Sequence, residues 1–123
     1  MKTILLVTLL AAVLTGAARA SERTPVTDAR PLMLAAIQAS DGAAHGVLTG
    51  DMADAISKRF SATSPIFIDV TTEKRYGQAG CSRLKLSFWQ DGVLLPGAKS
   101  PRKQTIEFGI NYCLDGMPPK SLS

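Results

Sequence analysis

The chain has 123 residues, 46% hydrophobic and 20% charged, with 14 basic and 10 acidic side chains for a formal net charge of +4. That length suits one compact domain, and a single histidine with two cysteines is too little for the usual zinc site. Basic residues gather in "EKRYGQAGCSRLK" and "KSPRK" without interleaved aromatics, so they read as a solvated face and no nucleic-acid partner is expected.

The N-terminus supplies Lys2, an apolar run over residues 4–14, and then Ala18-Arg19-Ala20. This is the three-part pattern of a cleavable secretory signal over residues 1–20. The run of about 11 residues is well short of the roughly 20 that span a bilayer, so no stable membrane anchor is expected. The short, lightly charged signal points to the bacterial periplasm. Without Lys2 and Arg19, 12 basic side chains remain against 10 acidic ones, an unremarkable balance.

Residues 21–27, which include Pro25, read as a flexible start to the mature chain, and a single α+β domain is expected over residues 28–114. A first helix fits within residues 28–40, with Pro31 tolerable in its first turn and "SDG" ending it. "GAAHG" reads as a small-residue linker that leaves His45 exposed. A second helix can be capped by Thr49 or Asp51. Met52, Ala55, Ile56 and Phe60 then form one apolar stripe, which reads as core. Asp51 and Asp54 near its start, and Lys58 and Arg59 near its end, complement the helix dipole.

Three strands follow by alternation. In "SPIFIDVTT", Ile66, Ile68 and Val70 oppose Phe67, Asp69 and Thr71. In "GCSRLKLSFWQ", Leu84, Leu86 and Phe88 oppose Arg83, Lys85 and Ser87. In "KQTIEFGINYC", Ile106, Phe108, Ile110 and Tyr112 face inward. The expected fold is a small antiparallel sheet of three to four strands, covered on its apolar side by one or two helices. Residues 115–123 read as an extended tail.

If Cys81 lies opposite Cys113 on antiparallel neighbours, Leu84 meets Ile110, Leu86 meets Phe108 and Phe88 meets Ile106. A slip of one residue would send one apolar set to the wrong face. Cysteine position and hydrophobic alternation therefore agree on a structural disulfide between strands. No Cys-x-x-Cys occurs, nor a Gly-x-Ser-x-Gly elbow, a Walker loop or a dinucleotide fingerprint. No cofactor, metal or catalytic site is expected.

Residues 91–102 leave two readings open. Asp91-Gly92 can make a tight turn that folds residues 93–95 back onto 88–90, or the whole segment is one long loop. Trp89 lies opposite Leu86 and Phe88. With Val93, Leu94 and Leu95 it would form an apolar patch flanked by Lys99, Arg102 and Lys103. Such patches mark partner sites, although a second mini-core beneath the first helix would bury the same residues.

"IDVTT", "GCSRLKLSFWQDGVLLPG" and "INYCLDGMPP" resemble segments of small exported proteins encoded with bacterial conjugation and type IV secretion systems. The resemblance spans roughly residues 47–120 and implies an accessory role in an envelope-spanning machine, with no catalytic residues to transfer. The expected function is a non-enzymatic periplasmic interaction module with an envelope protein partner. The alternative is a small secreted hydrolase, or an inhibitor of one, that uses Asp69 and Glu73.

Overall fold

The structure, a computed structural model, describes residues 22–123; the signal expected over residues 1–20 lies outside the described residues. Seven elements follow in order: β1 (Thr24–Val26), α1 (Arg30–Gln38), β2 (Ala43–Leu48), α2 (Asp51–Arg59), β3 (Ile66–Arg75), β4 (Cys81–Val93) and β5 (Arg102–Cys113). The strands form one sheet in the order β1-β2-β3-β4-β5. β1 runs parallel to β2, and every other pair is antiparallel. The fold is α+β as expected, but its sheet is mixed and has five strands.

Both additional strands lie in stretches that look unstructured in sequence. Residues 24–26, expected to be flexible, pair with residues 46–48. "GAAHG" is a strand, not a linker, and its register places His45 opposite Asp69. Small residues suit β2 because α1 packs closely on it. A Cβ on Gly46 would sit 2.6 Å from Leu32 Cδ1 and 2.8 Å from the Thr24 carbonyl oxygen, so only glycine fits there.

α1 begins beside Asp28, whose carboxylate accepts from the Arg30 backbone N–H at 2.9 Å. The Arg30 side chain holds that carboxyl down to about 2. The last turn of α1 has no basic residue of its own. Arg75, reaching from β3, donates to the carbonyls of Ile37 at 3.1 Å and Ala39 at 2.9 Å. It thereby satisfies two terminal acceptors and complements the negative helix end.

Leu32, Met33, Ala36 and Ile37 of α1 pack on Ile68, Val70, Leu84 and Leu86, and Ile110 and Tyr112 join at the margin. This core rests on the expected register. Cys81 lies opposite Cys113, Leu84 opposite Ile110, Leu86 opposite Phe108 and Phe88 opposite Ile106, with Cys81 and Cys113 disulfide-bonded. The bond points to an oxidising, extracytoplasmic environment. No described helix is long and apolar enough to cross a membrane.

Neither reading of residues 91–102 holds. β4 continues through an irregularity between Gln90 and Val93, and Val93 pairs with Arg102. Residues 94–101 connect the two strands, and the neighbours of β4 are β3 and β5. The expected extended tail is instead tied back. Cys113 N–H donates to Met117 O, Lys120 N–H to the Gln78 side chain, and Gly77 N–H to Ser123 O.

Cross-linking residues 32 apart constrains the unfolded chain. Replacing both cysteines with alanine should cost about 2–4 kcal/mol, read as a lower urea midpoint with a steeper slope, because the unfolded chain without the bond is more expanded. An unchanged midpoint would contradict that role.

Candidate functional site

α1 has nine residues and spans about 14 Å, whereas the 12 residues of β5 run about 40 Å. One short helix therefore covers only one end of the sheet's apolar face. α2 does not complete the cover, because Ala53 is its only buried residue. Ile56 and Phe60 are half-buried and Met52 is 62% exposed, so the stripe expected to be core instead walls an opening. Between α2 and the β4–β5 hairpin lies an apolar groove of about 380 Å³. Phe88, Ile66 and Leu48 line its floor, and Met52, Ile56, Phe60, Leu95, Ile106 and Phe108 line its sides. Ile106 is 67% and Phe108 45% exposed. The Phe88 and Phe108 rings stack with centroids 5.9 Å apart.

A buried polar clamp fixes the groove's geometry. Gln90 Nε2 donates to Ser57 Oγ at 2.9 Å and to the Ser64 carbonyl at 2.8 Å, which ties the end of α2 to β4. Leu94 N–H donates to Phe60 O at 3.0 Å, attaching the hairpin tip to the end of α2. Lys99 and Arg102 border the adjoining depression beside Val93 and Leu95, so the hairpin rim is basic.

The opposite sheet face is polar and centred on Asp69. Its Oδ1 accepts from Arg23 Nη1 at 2.8 Å and meets His45 Nδ1 at 2.7 Å, and its Oδ2 accepts from Trp89 Nε1 at 2.8 Å. A carboxylate only accepts, so His45 Nδ1 carries the shared hydrogen. Partial burial works to raise the Asp69 pKa. The hydrogen bonds from His45, Trp89 and Arg23 outweigh it and hold the carboxyl below its ordinary value. Trp89 packs on Phe67 with ring centroids 4.5 Å apart. Arg23 lies over the Phe67 ring at 4.4 Å, and Lys103 Nζ over the Trp89 ring at 4.3 Å.

The structure thus divides the predicted partner patch. Val93 and Leu95 line the groove and Trp89 also borders it, but the Trp89 indole bonds Asp69 and lies beneath Lys103 on the other face. Leu94 is 38% exposed at the hairpin tip, with Lys99 and Arg102 close by. Missing from the predicted set are Met52, Ile106 and Phe108, whose apolar character alone suggested core.

Asp69 and Glu73 both lie on β3. Four residues along one strand separate them by about 13 Å, and Glu73 sits at the irregularity between Thr72 and Lys74. The row His45, Asp69, Ser87, Glu107 crosses four strands. It places the carboxylate between the imidazole and the hydroxyl, whereas a nucleophilic triad needs the imidazole in the middle. Among the described residues no group of three His, Cys, Asp or Glu side chains could hold a metal ion. No family model matches the chain, and neither a curated protein nor a solved structure does.

Asp69→Asn should remove about 1–3 kcal/mol at neutral pH. The folded-state pKa of Asp69 is depressed, so its contribution is complete above the unfolded carboxyl value near 4 and is lost as pH falls through the folded value. The gap between variant and wild type, followed by Trp89 fluorescence in urea, should therefore close on acidification. A gap independent of pH would contradict this assignment.

Proposed function

We propose that the chain is a non-enzymatic protein-interaction module of the bacterial cell envelope, exported to the periplasm by residues 1–20, in which the apolar groove receives its partner. The carrying observation is a groove flanked by exposed Met52, Ile106 and Phe108 and clamped open through buried Gln90. Preformed apolar concavities of this kind take ligand or partner side chains at little ordering cost. The basic rim at Lys99 and Arg102 selects an apolar segment flanked by acidic residues. Such a segment can belong to a component of a conjugation or secretion apparatus, in keeping with the resemblance of "GCSRLKLSFWQDGVLLPG" and "INYCLDGMPP" to proteins encoded beside such systems.

The Asp69 face supports the same reading from the other direction. Both oxygens of its carboxylate are engaged by donors, and its pKa is held low. Such a group is a poor general base near neutral pH. Its bonds instead join residue 23, β2, β3 and β4 into one rigid platform beneath the groove.

A photoreactive residue at Leu95 of the exported chain should crosslink to one envelope protein, and one at Thr71 on the polar face should not. Adding Met52→Asp should reduce the Leu95 adduct about tenfold without changing disulfide content or circular dichroism, and raised salt should weaken it further. Equal adducts from both faces, or an adduct indifferent to Met52→Asp, would refute the proposal.

A further inference from the structure

β5 is an edge strand, and its backbone shows which groups face outward. Leu114 N–H donates to Gly80 O at 2.9 Å, while Cys113 N–H points away from β4 to Met117 O at 3.1 Å. Bonded and non-bonded pairs alternate along an antiparallel ladder. The 4.0 Å Cα separation of Cys81 and Cys113 fits the non-bonded class. Even-numbered β5 residues therefore bond to β4. Lys103, Thr105, Glu107, Gly109 and Asn111 turn N–H and C=O toward open solvent along the edge.

We infer that this edge pairs with the same edge of a second copy of the chain, antiparallel about a two-fold axis at Phe108. A strand bonded there must match odd residues with odd, which leaves few symmetric registers. An axis at Glu107 sets carboxylate against carboxylate. One at Ile106 places Phe108 opposite Gln104 and Ile110 opposite Arg102. One at Gly109 shifts the pairing onto Cys113, whose N–H is already engaged by Met117. With the axis at Phe108, that residue meets its own copy, Ile106 meets Ile110, and Gln104 meets Tyr112. On the other face Thr105 meets Asn111 and Glu107 meets Gly109. Apolar residues exposed in one copy, Ile106 at 67% and Phe108 at 45%, find apolar partners across the joint.

Charge supports the same register. The Arg83 guanidinium lies across Gly109 so closely that a Cβ there would sit 2.8 Å from Arg83 Cζ. Glycine at this position lets the cation lie beside the strand edge. Arg83 has no carboxylate partner among the described residues; its side-chain contact is Asn111 Oδ1 at a long 3.4 Å. In the Phe108-centred dimer, Glu107 of the second copy, which already lies 3.7 Å from Lys85 of its own copy, arrives opposite Gly109, beside that guanidinium. One carboxylate thus meets two cations, and symmetry makes the contact twice. The product is a ten-stranded sheet from two five-stranded ones, with both grooves on the same side.

This inference does not rest on the envelope-partner reading, because it is tested on the purified chain alone. Analytical ultracentrifugation should find a reversible dimer. Glu107→Arg, which sets Arg against Arg83 of the other copy and against Lys85 of its own, should weaken it about tenfold or more. Adding Arg83→Glu, which restores only the contact between copies, should recover the dimer. Under mild oxidation Phe108→Cys should form a covalent dimer, since facing non-bonded positions lie about 4.5 Å apart, within disulfide reach. Ile106→Cys should not, because its two copies lie roughly 14 Å apart along the strands. A monomer at high micromolar concentration, failure of the charge swap to rescue, or equal crosslinking at 106 and 108 would overturn the inference. Circular dichroism of each variant separates loss of pairing from loss of fold.

Discussion

Cys81 and Cys113 sit opposite one another near the end of the longest hairpin, and the covalent tie between them sets the register on which the other placements depend. Side chains alternate faces with a period of two. Fixing that pair commits Leu84, Leu86 and Phe88 to one face and Lys85, Ser87 and Trp89 to the other. β3 continues the assignment by aligning Asp69 with Ser87 and Phe67 with Trp89. The core and the Asp69 platform are thus two consequences of one register. For a small domain, a bond that limits the unfolded chain is a large share of a marginal stability.

Helix length then decides what the register leaves open. α1 seats Leu32 and Ile37 against Ile68, Val70, Leu84 and Leu86 and ends well before the sheet does. α2 buries Ala53 alone and is tethered at its C-terminal end by Gln90 and the Leu94 N–H. Phe88 is partly buried against the core, whereas Ile106 and Phe108 lie on the core side of β5 but beyond the helices' reach. Leaving them exposed weakens the fold and creates a surface that can be covered only by something else. The open β5 edge beside it adds a row of directional donors and acceptors, so apolar area and main-chain bonding meet along one side of the molecule.

Much of this was legible in sequence. The alternation in "GCSRLKLSFWQ" and "KQTIEFGINYC", combined with the cysteine positions, yields the β4–β5 register residue by residue. β1 and β2 were not legible, because "TPV" and "AAHGVL" owe their extended conformation to pairing with neighbours, not to intrinsic preference. Glycine and alanine in β2 mark the close approach of α1, which is tertiary information. The Asp69 hub was half visible: parity put Asp69 and Trp89 on the side away from the core, but only the β3–β4 register shows that they meet. The groove was hidden because a stripe of Met52, Ile56 and Phe60 looks the same whether a sheet lies against it or at a distance. Position in the hairpin points to Leu95 and Arg102, which border the groove and the depression beside it, whereas the alternation of Ile106 and Phe108 points to a core that stops short of them.

The central claim is that the disulfide-set register bonds one set of β5 amides to β4 and leaves the alternate set free at the sheet edge. Residue-resolved hydrogen exchange on protein dilute enough to be monomeric tests it most directly. Slow exchange at Ile106, Phe108, Ile110 and Tyr112, with fast exchange at Thr105, Glu107, Gly109 and Asn111, is the predicted pattern. Uniform protection along the strand, or the inverse alternation, would contradict the account.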